Sequence, residues 1–138
     1  MNHCHRGMNR RPCGNGIAEI LENIVRLQNR AEEREEREIG CLRTRLGSCN
    51  EKFDFNTRPI EIFSDEDKKW CMPFGRDDEH KSDVFRVEKV CNGTATFRVL
   101  APTGDRKFPY EKTNSFFTVS LDCLCCIRCL CDVHVPCL

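Results

Sequence analysis

The spacing of apolar positions changes period along the chain, and each period predicts a different element. Ile17, Ile20, Leu21, Ile24, Leu27, Gln28 and Ala31 recur at three- and four-residue intervals, which is the spacing of one helix face. Gly14-Asn15-Gly16 offers Asn15 as an N-cap, and Ile39-Gly40 supplies a stop, so a helix is predicted over 15–40. Its second half, Arg30 to Glu38, is almost wholly charged, with Glu33–Arg37 a favourable pair and Glu32–Glu36 an opposed one. The apolar stripe has two open uses: packing on its own domain, or meeting the same stripe on another copy.

After an irregular connector at 41–57, the period falls to two. Pro59 to Phe63 predicts a strand, Trp70 to Phe74 a shorter one, and the charged runs at 64–68 and 76–82 predict turns. Asp77, Asp78, Glu79 and His80 fall in the second of these runs and read as solvated charge. Phe85 and Val87 on one arm and Ala95, Phe97 and Val99 on the other predict a hairpin. A two-residue Asn92-Gly93 turn would place Glu88 opposite Phe97, whereas a three-residue loop, Cys91-Asn92-Gly93, pairs Val87 with Phe97 and Phe85 with Val99. The three-residue loop is therefore expected.

A connection at 101–112 follows. From Phe117 every odd position is apolar or cysteine through Cys123, Cys125, Ile127, Cys129 and Cys131 to Cys137, with Cys126 alone among these cysteines on the other parity. Such a run exceeds the ~10 residues of a usual strand, so a break is expected near Asp122 or between Cys126 and Cys131. The organisation predicted is α+β. Residues 1–14 form a flexible arm with His3, Cys4, His5 and Cys13, 15–40 a helix, and 41–57 a connector with Cys41 and Cys49. Residues 58–138 form a small antiparallel β domain, sandwich-like or barrel-like, ending in the cysteine-rich strand.

Composition narrows the function classes. With 22 basic and 22 acidic residues the formal charge is zero, which argues against nucleic acid as a partner. No apolar run is long enough to span a bilayer, and no apolar stretch follows Arg10 and Arg11 to make a secretory signal. Twelve cysteines in 138 residues then pose a compartment problem: a disulfide framework, a metal site, or thiols that meet oxidant only after assembly.

Strand neighbours at i and i+2 lie ~6.5–7 Å apart, at the limit of disulfide geometry, so pairing to another strand or chain is favoured. Cys126-Ile127-Arg128-Cys129 has a C-x2-C spacing, but without a glycine-bearing knuckle it reads as strand rather than zinc site. His134 has only Asp132 as an orienting carboxylate, and no phosphate loop or paired catalytic carboxylates occur, so no catalytic role is read here. No cofactor is expected.

The segments Ser82–Val90 and Ala95–Leu100, with Thr118–Leu130 and the helix positions Cys13, Ala18, Ile20, Leu21, Leu27 and Gln28, resemble the CotY/CotZ/ExsY family of bacterial spore coat and exosporium proteins. The chain departs from that family at Asn92-Gly93-Thr94, at Cys126 and in its short 101–114 connection. The resemblance implies a structural, self-assembling protein of the spore coat or exosporium, made in the mother-cell cytoplasm. Its partners would be copies of itself and other spore coat proteins, with no nucleic acid and no membrane. The resemblance also implies intermolecular disulfides that lock the lattice. The candidates are Cys4, Cys13, Cys41, Cys49, Cys123, Cys125, Cys126, Cys129, Cys131 and Cys137. The competing reading from another class is a cytosolic zinc-binding regulatory or interaction module.

Overall fold

The periodic segment becomes helix α1, Gly14–Arg37, which starts one residue before Asn15 and so places that residue inside the first turn. The computed structural model describes residues 14–37, 55–64, 68–75 and 79–138, the side chains of 14, 15 and 32–37 excepted. All of the expected arm at 1–14 except Gly14, the helix stop at Ile39-Gly40 and most of the connector lie outside the described residues.

Among the described residues seven strands follow: β1 Ile60–Phe63, β2 Met72–Pro73, β3 Lys81–Ser82, β4 Phe85–Cys91, β5 Thr94–Pro102, β6 Tyr110–Ser120 and β7 Cys126–Cys129. Five form an antiparallel sheet in the order β6-β5-β4-β1-β7, and β2 pairs with β3 in a separate two-stranded unit. The α+β class is as expected. The layer covering the core face of the sheet is the helix, rather than the second sheet of a sandwich or the closed wall of a barrel.

Ile17, Leu21 and Ile24 are buried on the helix side, against Ile60, Ile62, Phe85, Val87, Phe97, Val119, Leu121 and Leu124 from the sheet and the turn after β6. Each such side chain contributes about 1.5–3 kcal/mol by leaving water. Gln28 occupies the next core-facing position, and both ends of its amide are bonded. Its Nε2 donates to the Val87 carbonyl at 2.8 Å, and its Oε1 accepts from the Arg58 amide at 3.2 Å. A buried amide satisfied in this way ties the helix to β4 and to the start of β1 with little desolvation cost. Cross-strand Phe97 and Phe117 stack at 5.4 Å between ring centroids, and Phe85 meets Phe117 edge-on at 4.9 Å.

The β4–β5 hairpin keeps the predicted apolar register by a different route. Phe85 pairs with Val99 and Val87 with Phe97, yet Cys91 pairs with Thr94, so the turn is the two-residue Asn92-Gly93 and not a three-residue loop. Both turn residues have positive φ, 51° and 79°, the type I′ geometry that suits the strand twist. The register is reconciled by a β-bulge between Val87 and Lys89 that absorbs Glu88 as an extra residue. Arg86 explains why the bulge is tolerated. On the face away from the helix, its buried guanidinium bonds Glu88 at 2.6 Å, the Thr57 hydroxyl at 3.0 Å and the Asn56 carbonyl at 3.3 Å. The bulged carboxylate thus compensates a buried charge.

The expected long connection at 101–112 is also shorter in fact. β5 extends to Pro102 and β6 begins at Tyr110, leaving a seven-residue hairpin loop at 103–109.

Candidate functional site

The C-terminal cysteine run does not form one row. β6 ends at Ser120, Leu121–Cys123 make a single 3-10 turn, and the chain resumes as β7 at Cys126. The turn shifts the phase of alternation, so that Leu124, an even position, is fully buried beside Leu121. The predicted break near Asp122 is where the chain bends, but the single cysteine-lined face disappears with it.

β7 is the end strand of the sheet, with β1 as its one neighbour among the described strands. It pairs Ile60 with Cys129, Glu61 with Arg128, Ile62 with Ile127 and Phe63 with Cys126. Ile127 therefore points to the core face with Ile62, where it packs against the core cluster. Cys129 shares that face but projects beyond the cluster and is exposed; Cys126 and Arg128 are exposed on the opposite face. The strand is short and carries an exposed arginine, features that discourage indiscriminate edge pairing.

The chain beyond β7 is anchored. Asn56 donates through Nδ2 to the Val135 carbonyl and accepts the Val135 amide on Oδ1, both at 2.9 Å. Thr57 and Val133 exchange backbone bonds at 3.1 and 2.9 Å. Val135 then closes a second small core with Val84 and Leu100. The carboxylate of Asp132 is held by Arg58 through a fork, Nε to Oδ1 at 2.7 Å and Nη2 to Oδ2 at 3.0 Å. The hydrogen bond to Asp132 holds the Arg58 pKa above its ordinary value. The one carboxylate expected to orient His134 is thus committed to a structural pair.

The thiols divide by surroundings. Cys126, Cys129, Cys131 and Cys137 are exposed free thiols, and Cys125 is half-buried, with its amide donating to the Phe63 carbonyl at 3.0 Å. Cys123, on the turn, is half-buried and disulfide-bonded. Cys4, Cys13, Cys41 and Cys49 lie outside the described residues. Two exposed thiols absent from the sequence-based candidates join the set: Cys71, next to β2, and Cys91, the last residue of β4 before the hairpin turn. The Asn92-Gly93 turn was the available signal for Cys91, since a residue flanking a tight turn stands at a tip.

Three positions apart on a strand, Cys126 and Cys129 are ~10 Å apart and cannot reach each other. Among the described residues no three His, Cys, Asp or Glu side chains converge in a way that could hold a metal ion. The arrangement presents thiols to solvent from both faces of one edge strand.

A helix-backed sheet with an exposed thiol edge defines a class of small cysteine-rich structural module. The comparisons with known proteins agree with that class. The family profile described as "Spore coat protein Z" matches residues 2–109. Spore coat protein Z of Bacillus subtilis (strain 168) is 31% identical over 134 residues, which cover 83% of this chain and 87% of that protein. No solved structure matches. The chain belongs to the spore coat protein Z family, and its location is the spore coat.

Proposed function

We propose that this protein is a self-associating building block of the spore coat whose exposed thiols form intermolecular disulfides. The observation that carries the reading is β7. This edge strand presents Cys126 and Cys129 on opposite faces, too far apart to close on each other, with Cys131 just beyond. Thiols on two faces suit links to two different neighbours, which is what an extended layer requires. Neighbours would include copies of the same chain and other coat proteins. Each link converts two thiols to one disulfide, releasing two protons and two electrons to an oxidant such as dioxygen. Synthesis in a reducing cytoplasm followed by exposure at the spore surface accounts for a cysteine-rich chain of this kind.

The full chain purified in reductant and then air-oxidised should give high-mass species on a non-reducing gel that collapse to monomer on reduction, with sheets visible by electron microscopy. Replacing Cys126, Cys129 and Cys131 together by serine should remove most of that ladder. A soluble monomer carrying stoichiometric zinc, with no oxidised ladder, would refute the reading in favour of a metal-binding module.

A further inference from the structure

The side of α1 next to its core-facing side is apolar and uncovered. Ile20 is 46% exposed and Leu27 44% exposed. Seven residues apart, they lie one above the other two turns along the helix. Phe55, 65% exposed, lines the same shallow cleft as Leu27. Three of the four large apolar side chains exposed among the described residues therefore sit on this one flank. A single exposed leucine needs no explanation, but a stripe with an aromatic beside it does.

The charges bordering the stripe say what would cover it. Glu19 lies near its N-terminal end, and Arg26 and Arg30 lie at seven and eleven residues further along, on the same strip of helix surface. Glu19 and Arg30 are ~16 Å apart along the axis, so they do not pair within one helix. In an antiparallel pair of these helices, related by a two-fold axis passing between Asn23 and Ile24, Ile20 meets Leu27 of the other copy and Leu27 meets its Ile20. The same symmetry brings Glu19 level with position 28 of the other copy, between its Arg26 and Arg30. The flank is thus complementary to itself in shape and in charge, the requirement for an isologous dimer.

We infer that α1 is a homodimerisation surface, with a second copy of this chain packing antiparallel along Ile20 and Leu27. This rests on the self-association reading but involves no cysteine: it supplies a non-covalent contact on the helix, distinct from the disulfide contact at β7. A tile with both contacts can grow in two directions.

Sedimentation of the full chain in excess reductant, from about 1 to 100 µM, isolates this contact from the disulfides. Wild type should show a reversible monomer–dimer equilibrium. Leu27→Asp should weaken it at least about ten-fold, with unchanged circular dichroism because the side chain is half outside. Glu19→Arg should weaken it about three-fold, and Glu19→Arg combined with Arg30→Glu should restore it, a rescue that a merely structural role for Glu19 would not produce. A wild-type chain that stays monomeric across this range would overturn the inference and assign the stripe to a different coat protein. Dimers indifferent to Leu27→Asp would overturn it equally. Either result would leave the oxidation ladder, and the reading based on it, standing.

Discussion

Cys123-Leu124 and Cys126–Cys131 are neighbours in sequence and opposites in environment. The first pair sits on the turn after β6, with Leu124 fully buried and Cys123 in a disulfide. The second segment is an edge strand and its extension, with Cys126, Cys129 and Cys131 exposed as thiols. Residue type does not distinguish the two, since both mix cysteine with aliphatic residues. The 3-10 turn does: it breaks the period of two, sends an even position inward, and leaves the following cysteines at the rim. In a cysteine-rich chain, the position of a bend determines which sulfurs hold the fold and which remain for neighbours.

Substitutions can separate these roles. The largest effect is expected at Leu124→Ala, which opens a cavity in the main core and should cost about 2–5 kcal/mol by denaturant unfolding in reductant. Cys123→Ser should cost about 2–4 kcal/mol in oxidising buffer and far less in reductant, while leaving the cross-linked ladder in place. If Cys123→Ser abolishes the ladder instead, the distinction drawn between the two segments is wrong. Asn56→Ala removes both hydrogen bonds to Val135 and should cost about 1–3 kcal/mol. Hydrogen exchange should show it loosening the residues around Val133 before the strands.

Cys129→Ser should lie within about 0.5 kcal/mol of wild type for folding, because its side chain is exposed, yet reduce the cross-linked fraction.

The smallest effect concerns alkaline pH. Burial raises the pKa of Tyr110, and hydrogen bonds to Glu61 and then Asp83 raise that of exposed Lys69. A group whose folded pKa lies above its unfolded value stabilises the fold fully below the unfolded value, and that contribution is lost as pH rises through the folded one. Stability in reductant should therefore be flat through neutral pH and decline above about pH 10. In Tyr110→Phe the decline should be shallower, and an unchanged slope would remove Tyr110 as a cause.

Much of the fold was legible because it depends on local periodicity. The positions Ile17, Leu21 and Ile24 point inward as their spacing requires, and Phe85, Val87, Phe97 and Val99 pair as their alternation requires. The hairpin loop differs from the three-residue expectation because a one-residue shift can be made anywhere along a strand. The chain made it at Glu88, where Arg86 has use for a carboxylate, and not at the turn. The anchoring of Val135 by Asn56 was not readable, because it depends on a contact spanning 79 positions.

By itself, then, the sequence determined the class of fold, the inward face of the helix, the pairing of the central hairpin and the resemblance that named the family. These arise from patterns repeated within ten or so residues, where sterics and burial act on neighbours. Tertiary structure alone decided that β7 is an edge, that Cys126 and Cys129 face opposite ways on it, and that Ile20 and Leu27 stay uncovered. Whether an apolar or sulfur-bearing side chain is buried depends on what the rest of the chain places over it, and no local pattern carries that information.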